Sequence, residues 1–203
     1  MLADGRVLGV ASETGTRATH AIGLVSQALN EAKIEREAIE CLAIGLGPGS
    51  YAGVRSAIAL AQGWQLACEP HGLKILGISS VACLAEEARN HGWFGAVNVI
   101  IDAQRNEFYL AGYEISAGSC TEVQPLKLAG TEEARARVAS GALMVGPEAN
   151  RWFETGRTLF PTAGTLGALA AGRTEFVSGE MLEPIYLRET NFVKVRVKTV
   201  ERA

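Results

Sequence analysis

GLGPGSYAGVRSAIALAQGWQLA, from Gly45 to Ala67, is the stretch whose reading decides the fold. It continues the short apolar run CLAIGL (Cys41–Leu46), passes a glycine-rich turn, and goes on with a helical pattern predicted from about Val54 to Cys68. A strand, a glycine turn and a helix start together present backbone N–H groups to an anion. The turn residues Gly47, Pro48, Gly49, Ser50, Gly53 and Arg55 are therefore the first candidates for a site. Yet the phosphate-binding pattern GxxxxGK[ST] needs a lysine that reaches the outer phosphates. Here Val54 follows Gly53, and no lysine occurs between Lys33 and Lys74. The dinucleotide pattern GxGxxG fails at its third glycine, where Ala52 stands, and Glu69 sits in the wrong setting for its acidic partner. Phosphate binding is thus the lesser reading of this loop.

A serine nucleophile is weaker still. The hydrolase elbow is GxSxG, whereas Ser50 directly follows Gly49. A nucleophile also needs a base, and His20, His71 and His91 are scattered, each better read as a surface or cap residue. With no HxxxH or His/Asp cluster, no metal site is expected either. No residue is assigned as catalytic.

The helix after the turn says more. Val54, Ile58, Ala61, Trp64 and Cys68 fall on one side, and Ser56, Ala59, Gly63 and Ala67 on another. A ridge of small residues lets another helix come close. Gly63 in a helix centre costs about 1 kcal/mol relative to alanine, so it calls for a compensating reason. A second amphipathic helix is predicted from Ala18 to Lys33, capped by Thr16 or Thr19, with Ala18, Ile22, Val25, Leu29 and Ala32 on one face. Either the two helices pack on each other inside the chain, or both form part of a protein–protein interface. The sequence leaves both readings standing.

Around these elements the pattern alternates strand and helix. Asp4-Gly5 signals a hairpin turn with almost no first arm, followed by a strand over Arg6–Ser12. KILGI (Lys74–Ile78) reads as a strand, and Ser79 or Ser80 caps a helix to Asn90. Short links between alternating elements argue for an α/β layer arrangement. From Ala96 the pattern becomes mixed. Val97–Asp102 and Glu107–Ile115 read as strands about the turn Ala103–Asn106, with a short strand at Leu126–Leu128 and another at Leu143–Gly146. Thr131 is expected to cap a helix with Glu132 and Glu133 in its first turn. Two short helices are expected near Ala149–Thr155 and Thr162–Gly172. The chain is accordingly read as an N-terminal α/β subdomain, 1–94, carrying the two helices, and a C-terminal mixed subdomain, 95–203.

The composition is ordinary for a globular chain: 203 residues, 48% apolar and 20% charged. Such a chain buries about 70% of its unfolded surface and needs no metal or disulfide to fold. A net charge of −3 offers no broad face for nucleic acid, so an RNA-related role is expected to run through a partner. The tail cations Arg188, Lys194, Arg196, Lys198 and Arg202 read as a solvated tail ahead of a nucleic-acid contact. No apolar run approaches the ~20 residues of a membrane span. The first residues lack a signal-peptide pattern. Cys41, Cys68, Cys83 and Cys120 form no CxxC pair and read as buried free thiols. A cytoplasmic protein fits.

Several motifs, in this order, resemble those of the TsaB (YeaZ) family. Gly45–Ala67 resembles its GxGPGSFTGxRxGxxxAxGLA signature, and Gly77-Ile78-Ser79-Ser80 its GVSSL. Ile101–Tyr109 (IDAQRNEFY) resembles its IDARRGEVY, which singles out Asp102, Arg105 and Glu107. Val145-Gly146 matches the strand before its GxG turn, and Glu183–Arg188 its EPxYLR. The resemblance implies an actin-like/Hsp70-like (ASKHA) ATPase fold in two subdomains. It implies a non-catalytic platform that pairs through two helices with a paralogue, TsaD, which carries metal and transfer chemistry, and works with the ATPase TsaE. Together these make threonylcarbamoyladenosine on tRNAs reading codons that begin with A. On this sequence the pairing helices are those of Ala18–Lys33 and Val54–Cys68, with tRNA reached indirectly and a homodimer left open. Older usage groups such proteins with glycopeptidases; an actin-like ATPase or glycopeptidase-like hydrolase is the alternative, and it rests on fold analogy alone.

There are departures. Family chains begin with a strand reading like ILAIDTS, whereas this sequence starts at the Asp4-Gly5 turn. Loss of that strand would leave unpaired backbone groups on its neighbour. Either the start is set too late, another chain or segment fills the slot, or the shortened fold is natural. Tyr51-Ala52 replaces Phe-Thr, and Gln104 replaces an arginine. These departures weigh against nucleotide binding by this chain alone and leave ATP or ADP at the partner interface open.

Overall fold

The computed structural model describes residues 1–4, 6–13, 21–68 and 72–188. The elements run β1 (Leu2–Ala3), β2 (Arg6–Val7), α1 (Ala21–Ala32), β3 (Cys41–Gly45), α2 (Tyr51–Ala67), β4 (Lys74–Ile78), α3 (Ser80–Asn90), β5 (Gly95–Asp102), β6 (Glu107–Ile115), β7 (Cys120–Gly130), α4 (Thr131–Ala139), β8 (Leu143–Gly146), α5 (Ala149–Trp152), β9 (Arg157–Thr158) and α6 (Ala163–Ala170).

Strands β3 and β4 pair in parallel, Cys41 opposite Lys74 through Gly45 opposite Ile78. A parallel pair needs a crossover, and α2 supplies it. The helix begins three residues before the predicted Val54, because Ser50 Oγ accepts from Gly53 N at 3.3 Å and turns SYAG into a first helical turn. Its inner side carries the buried Ile58 and Ala61, which pack with Ile44, Ile75 and Leu182. Two elements are shorter than expected. The strand predicted over Arg6–Ser12 is only Arg6–Val7, since its one partner is Leu2–Ala3. Helix α1 ends at Ala32, with Lys33 in the left-handed region at φ 55°. Its expected caps Thr16 and Thr19, and Ala18 and His20, lie outside the described residues, as does His71. Among the described residues no strand runs along the outer edge of β3.

The larger sheet has the order β7-β6-β5-β8-β9. Strands β5, β6 and β7 are antiparallel neighbours, and β8 runs parallel to β5 and to β9. Helix α3 lays Val81, Leu84, Ala85 and Ala88 on Val97, Val99 and Ile101 of this sheet. On a second core, Phe108, fully buried, meets Ile100, Leu110, Met144 and Phe153, with Trp152 edge-on at 5.0 Å. The strand expected at Leu126–Leu128 is in fact eleven residues long, because a tight Ser116–Ser119 turn folds it back along β6. The pairing slips near Pro125, where Gly112 opposes Gln124 and Leu110 opposes Lys127. There Glu122 Oε1 accepts from Leu126 N at 3.2 Å. Thr131 proves to be the first residue of α4 rather than its cap, its hydroxyl donating to Asn106 O at 3.1 Å.

The buried Glu87, Asn98 and Thr165 side chains are hydrogen-bonded, whereas Trp64 Nε1, Ser79 Oγ and Glu148 Oε2 are buried without a partner among the described residues. The Glu87 carboxylate accepts from the Thr162 and Thr165 hydroxyls, which fixes α6 to α3. Asn98, in the sheet core, accepts from Arg137 at 3.0 Å, and Arg137 also pairs with Glu133 at 2.9 Å. Beyond α6 the chain crosses as a strap. Val177 bridges Ile75, and Gly179 is held by the side chains of Gln62 and Gln65. Leu182 enters the core under α2, and Ile185 N donates to Leu46 O at 2.8 Å.

Truncating Phe108 to alanine is expected to cost about 3–5 kcal/mol, read from urea unfolding; a loss below about 1 kcal/mol would contradict its place in the core. Lys127 and Arg137 hold the Glu133 carboxyl below the ordinary carboxylate range by hydrogen bonding. Its contribution is therefore present above the unfolded carboxylate pKa and is lost as pH falls through the lower folded value. Glu133→Gln should lower stability modestly at neutral pH and leave it unchanged at pH below the folded value, so that the acid limb of the stability curve is flatter.

Candidate functional site

Helices α1 and α2 diverge around a groove of about 880 Å³. Its walls are Ile22, Val25 and Leu29 from α1, and Ser56, Ala59, Gly63 and Ala67 from α2, joined by Leu60, Trp64 and Arg36. Seven of the eight helix residues singled out from sequence thus share one cavity; the eighth, Ala18, lies outside the described residues. Helix α1 has no buried residue, and Ile22 is 76% exposed. The helix is fastened at a neighbouring side instead. A Cβ on Gly9 would fall 2.4 Å from Ala28 O, and Val10 N donates to Glu31 Oε2 at 2.9 Å. A Cβ on Gly63 would meet nothing within 4 Å. The small-residue ridge therefore floors an open groove and does not clasp α1.

The glycine loop is a fixed turn between β3 and α2. Gly47 adopts φ 87°, lies against Val54, and its carbonyl accepts from Ser80 N at 2.8 Å. Pro48 is buried, and Gly49, Ser50, Gly53 and Arg55 are exposed. Ser50 Oγ is engaged as the helix cap, which is a structural use of that hydroxyl. Arg55 donates to Tyr51 Oη at 3.0 Å and lies over its ring. At the β5–β6 turn, Asp102 Oδ1 accepts from Gln104 N at 2.7 Å, and Gln104, Arg105 and Asn106 all have positive φ. Arg105 is exposed, and Glu107 pairs with Arg188.

Sequence reasoning left the link between loop and turn unseen. Tyr186 stacks on Tyr51 at 5.6 Å, while Arg188, two residues on, binds Glu107 and the carbonyl of Gln104. The signal was the EPIYLR segment, whose tyrosine and arginine stand on one side of an extended chain.

The cysteines are less uniformly buried than expected. Cys83 is buried, Cys68 and Cys120 are half-buried and Cys41 is exposed. Burial pushes the thiols of Cys83 and Cys120 up to about 11, away from thiolate chemistry. His91 caps α3, its Nδ1 2.9 Å from Glu87 O. Among the described residues no group of three or more His, Cys, Asp and Glu is placed to hold a metal, and no helix is long and apolar enough to cross a membrane.

The family profile described as TsaD, tRNA N6-adenosine threonylcarbamoyltransferase, matches residues 15–180. The tRNA threonylcarbamoyladenosine biosynthesis protein TsaB of Escherichia coli (strain K12) is 32% identical over 170 residues, 74% of this chain and 71% of that one. The chain belongs to the TsaB (YeaZ) family. The TsaB protein of Bacillus subtilis (strain 168) is 30% identical over 107 residues, which span 52% of this chain and 44% of that one. YeaZ from Pseudomonas aeruginosa superposes with a TM-score of 0.68 at 27% identity, covering 83% of this chain and 84% of that one. The fold is thus the α/β architecture of TsaB, within the actin-like/Hsp70-like (ASKHA) superfamily. TsaB kinship supports an accessory role rather than independent enzymatic activity.

A thiol reagent at mildly alkaline pH should label Cys41 well before Cys83, and Cys83 should react only on unfolding. Equal rates would show that Cys83 is not enclosed.

Proposed function

We propose that this chain is the scaffold subunit that pairs with a TsaD-type transferase in forming threonylcarbamoyladenosine on tRNAs that read codons beginning with A. The single observation that carries the reading is the groove between α1 and α2. It is apolar, open, and lined by the residues that the family resemblance assigned to pairing. An exposed apolar surface of this extent on a charged, globular chain is characteristic of an interaction site. A stretch of small residues along its floor suits close approach of a helix. The transferase paralogue supplies the chemistry, and tRNA is engaged through the complex. A TsaE-type ATPase joins the assembly, and ATP or ADP binds where the subunits meet. The same groove also serves pairing of two copies when the transferase is absent, since both walls are mainly apolar, with Ser26, Ser56 and Arg36 among them.

Gly63→Leu tests the reading because its two effects run in opposite directions. Replacing a helix-centre glycine stabilises α2 by up to about 1 kcal/mol. Filling the groove should nevertheless weaken co-purification with the transferase at least about tenfold, or about 1.4 kcal/mol. Ala59→Arg should act in the same direction. Normal transferase binding by both folded variants would overturn the assignment, as would saturable ATP turnover by the isolated chain. Light scattering should find a dimer at micromolar concentration that Gly63→Leu converts to monomer.

A further inference from the structure

Thirteen residues line the groove between α1 and α2. A specific protein–protein interface engages about 20–30 residues on each side. A partner held by the groove alone falls well short of that, so it also covers surface beside it. The two borders of the groove differ in chemistry. At the end of α1 the border carries Lys33, Glu35, Arg36 and Glu37 around a small hollow, and Arg36 pairs with Glu37 at 3.1 Å. Charged groups of this kind are depleted from the centres of interfaces. Past α2 the border is apolar: Leu66 is 70% exposed and Met181, on the strap, 71%. Leu66 follows Gly63 by three positions and Ala59 by seven, which keeps it on the outward side of the helix. Leu66 and Met181 belong to one surface because the strap is bonded to α2 between them. Gly179 N donates to Gln65 Oε1 at 2.6 Å, and its carbonyl accepts from Gln62 Nε2 at 2.9 Å. A Cβ on Gly179 would lie 3.2 Å from Gln62 Cα, so strap and helix touch backbone to backbone. Leu66 is the next residue after Gln65, and Met181 closes the single 3₁₀ turn that Gly179 begins. That turn sends Leu182 into the core under α2 and leaves Met181 outside.

We infer that the partner seated in the groove reaches across α2 onto the strap, where Leu66 and Met181 form a second apolar contact with it. The inference rests on the proposed pairing with a transferase-type subunit and names where that subunit continues beyond the groove. Its facing surface is apolar on both sides of α2, with close approach at the small residues between. A leucine on a packed helix is a fixed contact, whereas a methionine adapts its shape to what covers it. The strap, held in place by Gln62 and Gln65, thus becomes part of the partner site.

The test uses the full chain with and without its transferase subunit. Hydrogen peroxide converts accessible methionines to sulfoxides, and the methionines are Met1, Met144 and Met181. Met144 is fully buried, so Met181 should oxidise well before it in the free chain. In the complex Met181 should oxidise at least about tenfold more slowly, read by peptide mass spectrometry. The double variant Leu66→Ser/Met181→Ser should weaken pairing at least about tenfold by titration calorimetry. Both residues are exposed, so the variant keeps its fold, which circular dichroism checks. Val123→Ser, which alters an open apolar residue on β7, should pair normally. Full oxidation of Met181 within a formed complex overturns the inference and leaves the groove assignment standing. Normal pairing by the double variant, while Gly63→Leu still weakens it, does the same. Loss of self-association alone, with transferase pairing unchanged, gives the surface to a second copy and also overturns it. Normal pairing by Gly63→Leu strikes the groove assignment itself, and the inference falls with it.

Discussion

One helix has to satisfy two environments, and the rest of the molecule is arranged around that requirement. Ile58 and Ala61 commit the inner side of α2 to the β3–β4 sheet, where Leu182 closes the core beneath it. Gln62 and Gln65 hold Gly179 through both its N–H and its carbonyl. With these contacts made, rotation of α2 is fixed, and Ser56, Ala59, Gly63 and Ala67 are turned outward together. Their outward placement is a consequence of how the helix is packed behind. A helix held by apolar contacts alone could slide or roll; two side-chain amides bonded to one backbone unit give it a register.

The strap supplies the second half of this arrangement. It starts beside β4 at Val177, passes under α2, reaches the end of β3 at Ile185, and finishes on the β5–β6 turn through Arg188. A single extended segment therefore touches α2, the glycine loop and the larger sheet in turn. Its anchors differ in kind: a backbone bridge, a buried leucine, a ring stack and an ion pair. The ion pair is partly exposed and contributes little by itself. The leucine and the backbone bonds carry the strap, and the ring and the arginine fix where it emerges.

Much of this was legible in the sequence because it depended on periodicity. The small-residue side of α2 and the stripe on α1 were legible from spacing, whereas Trp64, which spacing grouped with Ile58 and Ala61, lines the groove beside Gly63. Strands β3, β4, β6 and β8 were legible from short apolar runs bounded by turns. What was not legible depended on contacts distant in sequence. The full length of β7 comes from its pairing with β6, and its outward residues are too polar to announce a strand. The early start of α2 comes from a hydroxyl cap inside a glycine-rich run that otherwise reads as a turn. The alternatives for Gly63 were open because the same spacing serves internal packing and external docking, and only the empty space beyond its Cα separates them. The meeting of Tyr51 with Tyr186 spans most of the chain and leaves no local pattern.

The slip in pairing at Pro125 has a consequence for how the molecule associates. Strand β7 is the outermost long strand, and a flat outer strand of eleven residues would be a template on which further chains could add and continue the sheet. A proline breaks that template, because it has no N–H to offer and its ring bends the strand where the register shifts. Glu122 then occupies the Leu126 N–H from within, removing a second point of attachment. The opposite margin of the sheet, β9, is only two residues long. Both margins of the larger sheet are thereby poor templates for strand addition, so the sheet offers no long, regular edge on which it could propagate from chain to chain.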